Sequence, residues 1–170
     1  GAPRAVVNAG ISGGGLTRDL IGEPITARFD RDVLAQSGVG YVVLLAGTND
    51  IAQPPSASDA GVSAAQLIAA ARQIAERAHA HGVKALGATV TPFDAEGPDD
   101  APYEAKRQAL NQWIRTSGAF DAVIDFDRVL ADPARPSHLL RAFDSGDHVH
   151  PNDAGYRAMA DAIDLSRFAR

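Results

Sequence analysis

Val39-Gly40-Tyr41-Val42-Val43-Leu44-Leu45-Ala46-Gly47-Thr48-Asn49-Asp50 is the stretch whose reading decides the fold. Its apolar run shows no polar alternation, which marks a strand buried on both faces, and it breaks at Gly47 into a polar turn. Residues 5–9, 83–89 and 122–126 form three more short apolar runs of the same kind. Helical patterns lie between them. The clearest covers residues 63–81, where Leu67, Ile68, Ala71, Ile74, Ala75 and Ala78 recur at helical spacing. There Ser63 with Gln66 forms a capping box and Gly82 supplies the stop. Further helices are predicted over 25–35, over 103–117 with Gly118 at its end, and over 153–165 with Asn152 as its cap. Leu110, Trp113 and Ile114 fall at helical spacing and read as core. Strands alternating with helices predict an α/β three-layer sandwich with a parallel sheet, forming a single domain over residues 1–170.

The length of 170 residues and the 45% hydrophobic content suffice for one sizeable core. Net charge is −5 and the 16 Lys and Arg form no basic run, so a phosphate-tracking surface is missing and nucleic acid is excluded as a partner. With no cysteine the chain has neither a disulfide framework nor a thiolate metal site. No apolar run reaches the ~20 residues of a membrane span.

In open parallel sheets, ligands bind outside the carboxyl ends of the strands. The polar segments 10–15, 47–50 and 91–94 follow strand ends here, and loops 52–59 and 95–102 are expected to border them. Gly10-Ile11-Ser12-Gly13-Gly14-Gly15 lacks the Gly-Lys-Ser/Thr of a phosphate loop, and Ser12 stands where a dinucleotide fingerprint needs glycine. Two readings of it stay open, an oxyanion-binding loop and an ordinary tight turn. Asn49 is likewise either an amide donor to developing negative charge or a residue that, with Asp50, turns the chain or caps the next helix. Asp147 precedes His150 by three residues, a spacing at which the carboxylate accepts from one ring nitrogen and leaves the other as a proton acceptor.

His148 with His150, helped by Asp144 or Asp147, gives a rival reading as a metal site that activates water. His79, His81 and His138 are expected to be solvated. Gly10-Ile11-Ser12-Gly13-Gly14 formally matches a Gly-x-Ser-x-Gly nucleophile elbow. Against this, such elbows draw their acid and histidine from separate loops, whereas Asp147 and His150 share one.

Taken in order, Asn8 to Gly13, Gly47-Thr48-Asn49-Asp50 and Asp147-His148-Val149-His150-Pro151 resemble the second, third and fifth blocks of the SGNH hydrolases, also called GDSL esterases and lipases. Ala27-Arg28-Phe29-Asp30-Arg31-Asp32 and Gly87-Ala88-Thr89-Val90-Thr91-Pro92-Phe93 look most like a subgroup related to bacterial xylan-degradation esterases. The resemblance implies a flavodoxin-like SGNH hydrolase fold and a serine esterase acting on small esters, including acylated carbohydrates, without a cofactor. It assigns His150 as general base, Asp147 as its orienting acid, and the Gly13 N–H and Asn49 side chain as oxyanion donors. It also implies a secreted or periplasmic setting.

The family's first block, Gly-Asp-Ser, does not occur in these residues. The expectation is therefore an N-terminally incomplete domain lacking its first, central strand between 5–9 and 39–46. An upstream segment or companion chain would supply that strand and its serine. The competing expectation is a non-catalytic carbohydrate-binding or assembly module of the same fold.

Overall fold

The computed structural model describes residues 4–53, 61–94 and 101–168. Its centre is a parallel sheet of β1 (Tyr41–Leu44), β2 (Lys84–Ala88) and β3 (Ala122–Ile124), in that spatial order. Tyr41 stands beside Lys84 in one ladder and Leu86 beside Ala122 in the other. The strands are shorter than the apolar runs that announced them. Their outer residues leave the ladder for loops, because pairing extends only where a neighbouring strand continues.

Successive residues of β2 feed opposite faces, as the two-residue strand period requires. Ala85 joins the larger apolar cluster, and Leu86 and Ala88 join a smaller one with Ile124 and Phe126. The larger cluster is covered by α3 (Ala64–Ala80) and α4 (Ala101–Thr116). Met159 of α6 (Asp153–Asp161), together with Phe168 of the 3₁₀ turn Leu165–Phe168, packs on the smaller cluster. Helices on both faces of the sheet make the expected layers.

α3 forms as its sequence dictates. Ser63 Oγ accepts from Gln66 N–H at 3.3 Å while Gln66 Oε1 accepts from Ser63 N–H at 2.9 Å, closing the capping box. Leu67, Ala71, Ile74 and Ala78 are buried, and each large side chain contributes roughly 1.5–3 kcal/mol. Gly82, at φ +70°, ends the helix with its N–H on His79 O at 2.9 Å. At Gly87 any Cβ would lie 2.5 Å from the Phe120 ring, so only glycine lets that ring reach the sheet.

α4 is tied beneath the sheet ends by charge. Arg107, 1% exposed, donates to Glu104, to Asp127 and to Val90 O, and Arg115 donates to Asp125 and Asp127. Asn111 takes both backbone groups of Val90, accepting from its N–H and donating to its carbonyl, each at 2.8 Å.

Several expectations need correction. Residues 5–9 form no strand: Val6 and Val7 are 93% and 68% exposed, and no described strand lies against the outer edge of β1 for them to join. The helix expected over 25–35 splits into α1 (Ile25–Phe29) and a π turn (Asp30–Leu34), where Ala35 N–H reaches back to Asp30 O at 2.8 Å. The last helix stops at Asp161. Two short helices, α2 (Thr48–Ala52) and α5 (Phe126–Leu130), and an antiparallel pair, β4 (Ala131–Asp132) with β5 (Arg135–Leu139), had no forecast in the sequence. Most of loops 52–59 and 95–102 lies outside the described residues.

Candidate active site

The site candidates come from three segments: the turn after β1, the glycine loop that follows residues 5–9, and the segment after β5. Behind β1, Gly47 adopts φ +121°, and α2 begins at once with Thr48-Asn49-Asp50. Asn49 Nδ2 donates to Gly14 O at 2.9 Å. Of the two N–H groups on that amide, one thus holds the glycine loop, and the other has no partner among the described residues. Asp50, fully buried, accepts from Leu16 N–H at 2.6 Å, Thr17 N–H at 2.9 Å and Thr17 Oγ at 2.7 Å. From the sequence Asp50 reads as a turn residue. Its signal is faint, an acidic side chain next to a buried run, and its partners lie 33 and 34 residues away.

The glycine loop itself is compact. Asn8 Oδ1 accepts from Gly10 N–H at 2.8 Å, and Gly14 N–H closes a turn on Ile11 O at 3.0 Å. Gly13 has φ +73°, and a Cβ there would fall 2.5 Å from Ile21 Cδ1. The positive φ therefore demands glycine, whereas the exposed Ile21 tip could yield to a Cβ. Among the described residues Gly13 N–H has no hydrogen-bond partner.

The second half of the site is the segment 144–152. Asp147 Oδ1 accepts from Ser145 Oγ, Val149 N–H and His150 N–H at 3.0, 2.9 and 2.8 Å, while Oδ2 meets His150 Nδ1 at 2.6 Å. The His150 and Val149 N–H groups, then the imidazole and the Ser145 hydroxyl, hold the Asp147 carboxyl well below the usual carboxylate range. His150 Nε2 is left over, on a side chain 67% exposed. Asn152 caps α6 by accepting from Gly155 N–H at 3.0 Å, and it donates back to Ala142 O and Asp144 O.

A second acid–imidazole pair adjoins the first. Asp144 accepts from His148 Nδ1 at 2.7 Å and from the Gly146 and His148 N–H groups. His148 is held at φ +63°, the left-handed region that non-glycine residues seldom occupy. Each histidine thus has its own carboxylate, and among the described residues no three metal-binding side chains stand together, so the metal-site reading gains no donor set.

The loop after β2 touches both the turn after β1 and the segment 144–152. Asp94 N–H donates to His148 O at 2.9 Å, and Gly47 packs against Val90, which α4 anchors. No hydrogen bond among the described residues joins His150 directly to Asn49 or Gly13. His138, expected to be solvated, lies on β5 and is partly covered, with Nε2 3.6 Å from Asp94 Oδ2. His79 is exposed but paired with Asp121 at 2.9 Å.

Residues 1–158 match the model of the GDSL-like lipase/acylhydrolase family. The chain belongs to that family. Its fold is that of the SGNH hydrolases with a reduced sheet. A GDSL-like lipase from Bacteroides thetaiotaomicron superposes with a TM-score of 0.68 at 27% identity, covering 84% of this chain and 68% of that one. An acetylxylan esterase from Geobacillus stearothermophilus superposes at TM-score 0.60 and 20% identity over 86% of this chain and 66% of its own. A catalytic mutant of that esterase, with a serine replaced by alanine, gives TM-score 0.60 at 22% identity over 85% and 66%. No curated protein matches this GDSL-family chain by sequence.

Proposed function

We propose that the chain is the acid–base and oxyanion portion of a serine carboxylic ester hydrolase. The observation that carries this reading is the 2.6 Å contact between Asp147 Oδ2 and His150 Nδ1, which fixes a proton on Nδ1 and presents Nε2 as a base. A serine Oγ gives its proton to Nε2 as it attacks the ester carbonyl. Asp147 stabilises the imidazolium formed, and the free N–H groups of Gly13 and Asn49 face the oxyanion. Nε2 then protonates the departing alcohol, and water, activated by the same imidazole, releases the acid from the acyl-enzyme.

The serine comes from polypeptide outside these 170 residues. Support lies at β1, which has no described strand on its outer edge and leaves Val43 and Leu45 about 40% exposed, at 42% and 43%. Residues 5–9 form no strand, and Arg4 stacks on the Tyr41 ring at 5.4 Å. A strand added there would pair with β1 and cover its apolar side chains. The acetylxylan esterase named among the similar structures favours acetylated carbohydrate as the substrate class.

The test is labelling of the active protein with a fluorophosphonate, followed by peptide mass mapping and assay on p-nitrophenyl acetate and acetylated xylan. A labelled serine in a Gly-Asp-Ser setting, with activity abolished by His150→Ala, is the expected result. Label on Ser12, or undiminished turnover in His150→Ala, sinks the assignment. Saccharide binding without hydrolysis or labelling would instead favour a non-catalytic module.

A further inference from the structure

The glycine loop is gripped from two sides by buried charged side chains that the proposed chemistry does not itself employ. At its upstream end Arg28, 5% exposed, donates through Nη1 to Ala9 O at 2.6 Å and to Asp32 at 2.9 Å. At its downstream end Asp50, 0% exposed, takes the N–H groups of Leu16 and Thr17 and the Thr17 hydroxyl. Between these anchors stand Gly13, with its unengaged N–H, and Gly14, whose carbonyl receives Asn49 Nδ2.

Burying a carboxyl group is costly, and a well-packed apolar side chain would serve folding at least as well. The three groups that bond Asp50 are neutral backbone and hydroxyl donors, so the arrangement secures a geometry rather than a charge pair. The geometry it secures is specific. Asn49 and Asp50 are consecutive residues of α2, so one short helix carries both an oxyanion donor and the clamp on the loop that carries the other donor. An oxyanion hole needs donors set to within a few tenths of an ångström, since each works by being in place before charge develops.

We propose that Asp50 is the positioning residue of the oxyanion hole: by bonding Leu16 and Thr17 it sets the direction of Gly13 N–H relative to the Asn49 amide. This rests on the esterase reading above. Asp50 does not touch the reacting atoms. It acts through the loop, with Arg28 holding the other end.

The experiment measures kcat and KM for p-nitrophenyl acetate in the active full-length protein carrying Asp50→Asn or Thr17→Val. Amide NMR of Gly13, Gly14, Leu16 and Thr17 is recorded in parallel. Asp50→Asn turns an NH₂ toward a donor and should lower kcat about a hundredfold, the size of losing one oxyanion donor, with KM within about threefold. Thr17→Val removes one bond and should cost about fivefold, a milder variant that keeps the question open to test if Asp50→Asn folds poorly. In an Asn49→Ala background, Asp50→Asn should add much less than a hundredfold, because both act on one device.

An Asp50→Asn protein with wild-type kcat per folded molecule, or with unmoved Gly13 and Gly14 resonances, overturns the proposal. So does full additivity with Asn49→Ala. Wild-type turnover reports on the esterase reading, and the variant ratios and resonances report on Asp50, so the two failures are distinguishable.

Discussion

Replacing Asp147 by Asn tests the proposed mechanism at its narrowest point. Oδ1 accepts three hydrogen bonds, from Ser145 Oγ, Val149 N–H and His150 N–H, so the amide oxygen of the substituted side chain is forced into that place. Its NH₂ then faces His150 Nδ1 where Oδ2 stood at 2.6 Å. An NH₂ can only donate, so Nδ1 must give up its proton and the neutral ring carries it on Nε2. The nitrogen that should receive the serine proton is then blocked, although little in the backbone has moved. The equivalent change in a serine protease triad lowers kcat about 10⁴-fold, and a loss of that order is expected here.

Because the pair is exposed, Tm should shift by no more than about 2 °C. The assay is kcat on p-nitrophenyl acetate, with long-range ¹H–¹⁵N spectra of the His150 ring to read the tautomer. A loss below about tenfold, or an Nδ1–H tautomer persisting in Asp147→Asn, would refute the reasoning.

Other expectations follow from the same geometry. Asp147 has a carboxyl held below the ordinary range, so its stabilising contacts exist above the unfolded pKa and disappear only as pH falls through the lower folded value. The rate profile should therefore show no carboxylate ionisation between pH 3 and about 5, and one in that range would contradict the assignment. Arg107→Met breaks a buried ion pair and should cost about 3–5 kcal/mol, which for a domain of this size is a Tm fall of roughly 6–20 °C by calorimetry. Gly13→Ala, forced to φ +73° against Ile21, should lower Tm by about 2–8 °C and depress kcat more than KM in steady-state assays. Ser12→Ala should keep most activity, since Ser12 lies exposed in the turn and has no described contact with His150.

Local interactions explain what could be read without coordinates. The capping box at Ser63, the stop at Gly82 and the contact of Asp147 with His150 each join residues no more than four positions apart, so composition and spacing suffice to infer them. Buried strands announce themselves by apolar runs, and their alternation with helices indicates the parallel α/β class. Residues 5–9 are the instructive failure. Their apolarity is genuine, but a strand is a relation between neighbours, and β1 presents them no described partner.

Sequence alone supplied the family pattern and named the candidates, Gly13 and Asn49 as donors and Asp147 with His150 as an acid–base pair, because those depend on residue type and short spacing. Tertiary structure alone decided that Asp50 grips Leu16 and Thr17, that Arg107 lies under Val90, and that Asp94 meets the backbone of His148. Such contacts close chain loops of many residues. Hydrogen bonding fixes which groups an acidic or basic side chain can accept from or donate to, but only the packing of sheet and helices determines which of them arrives.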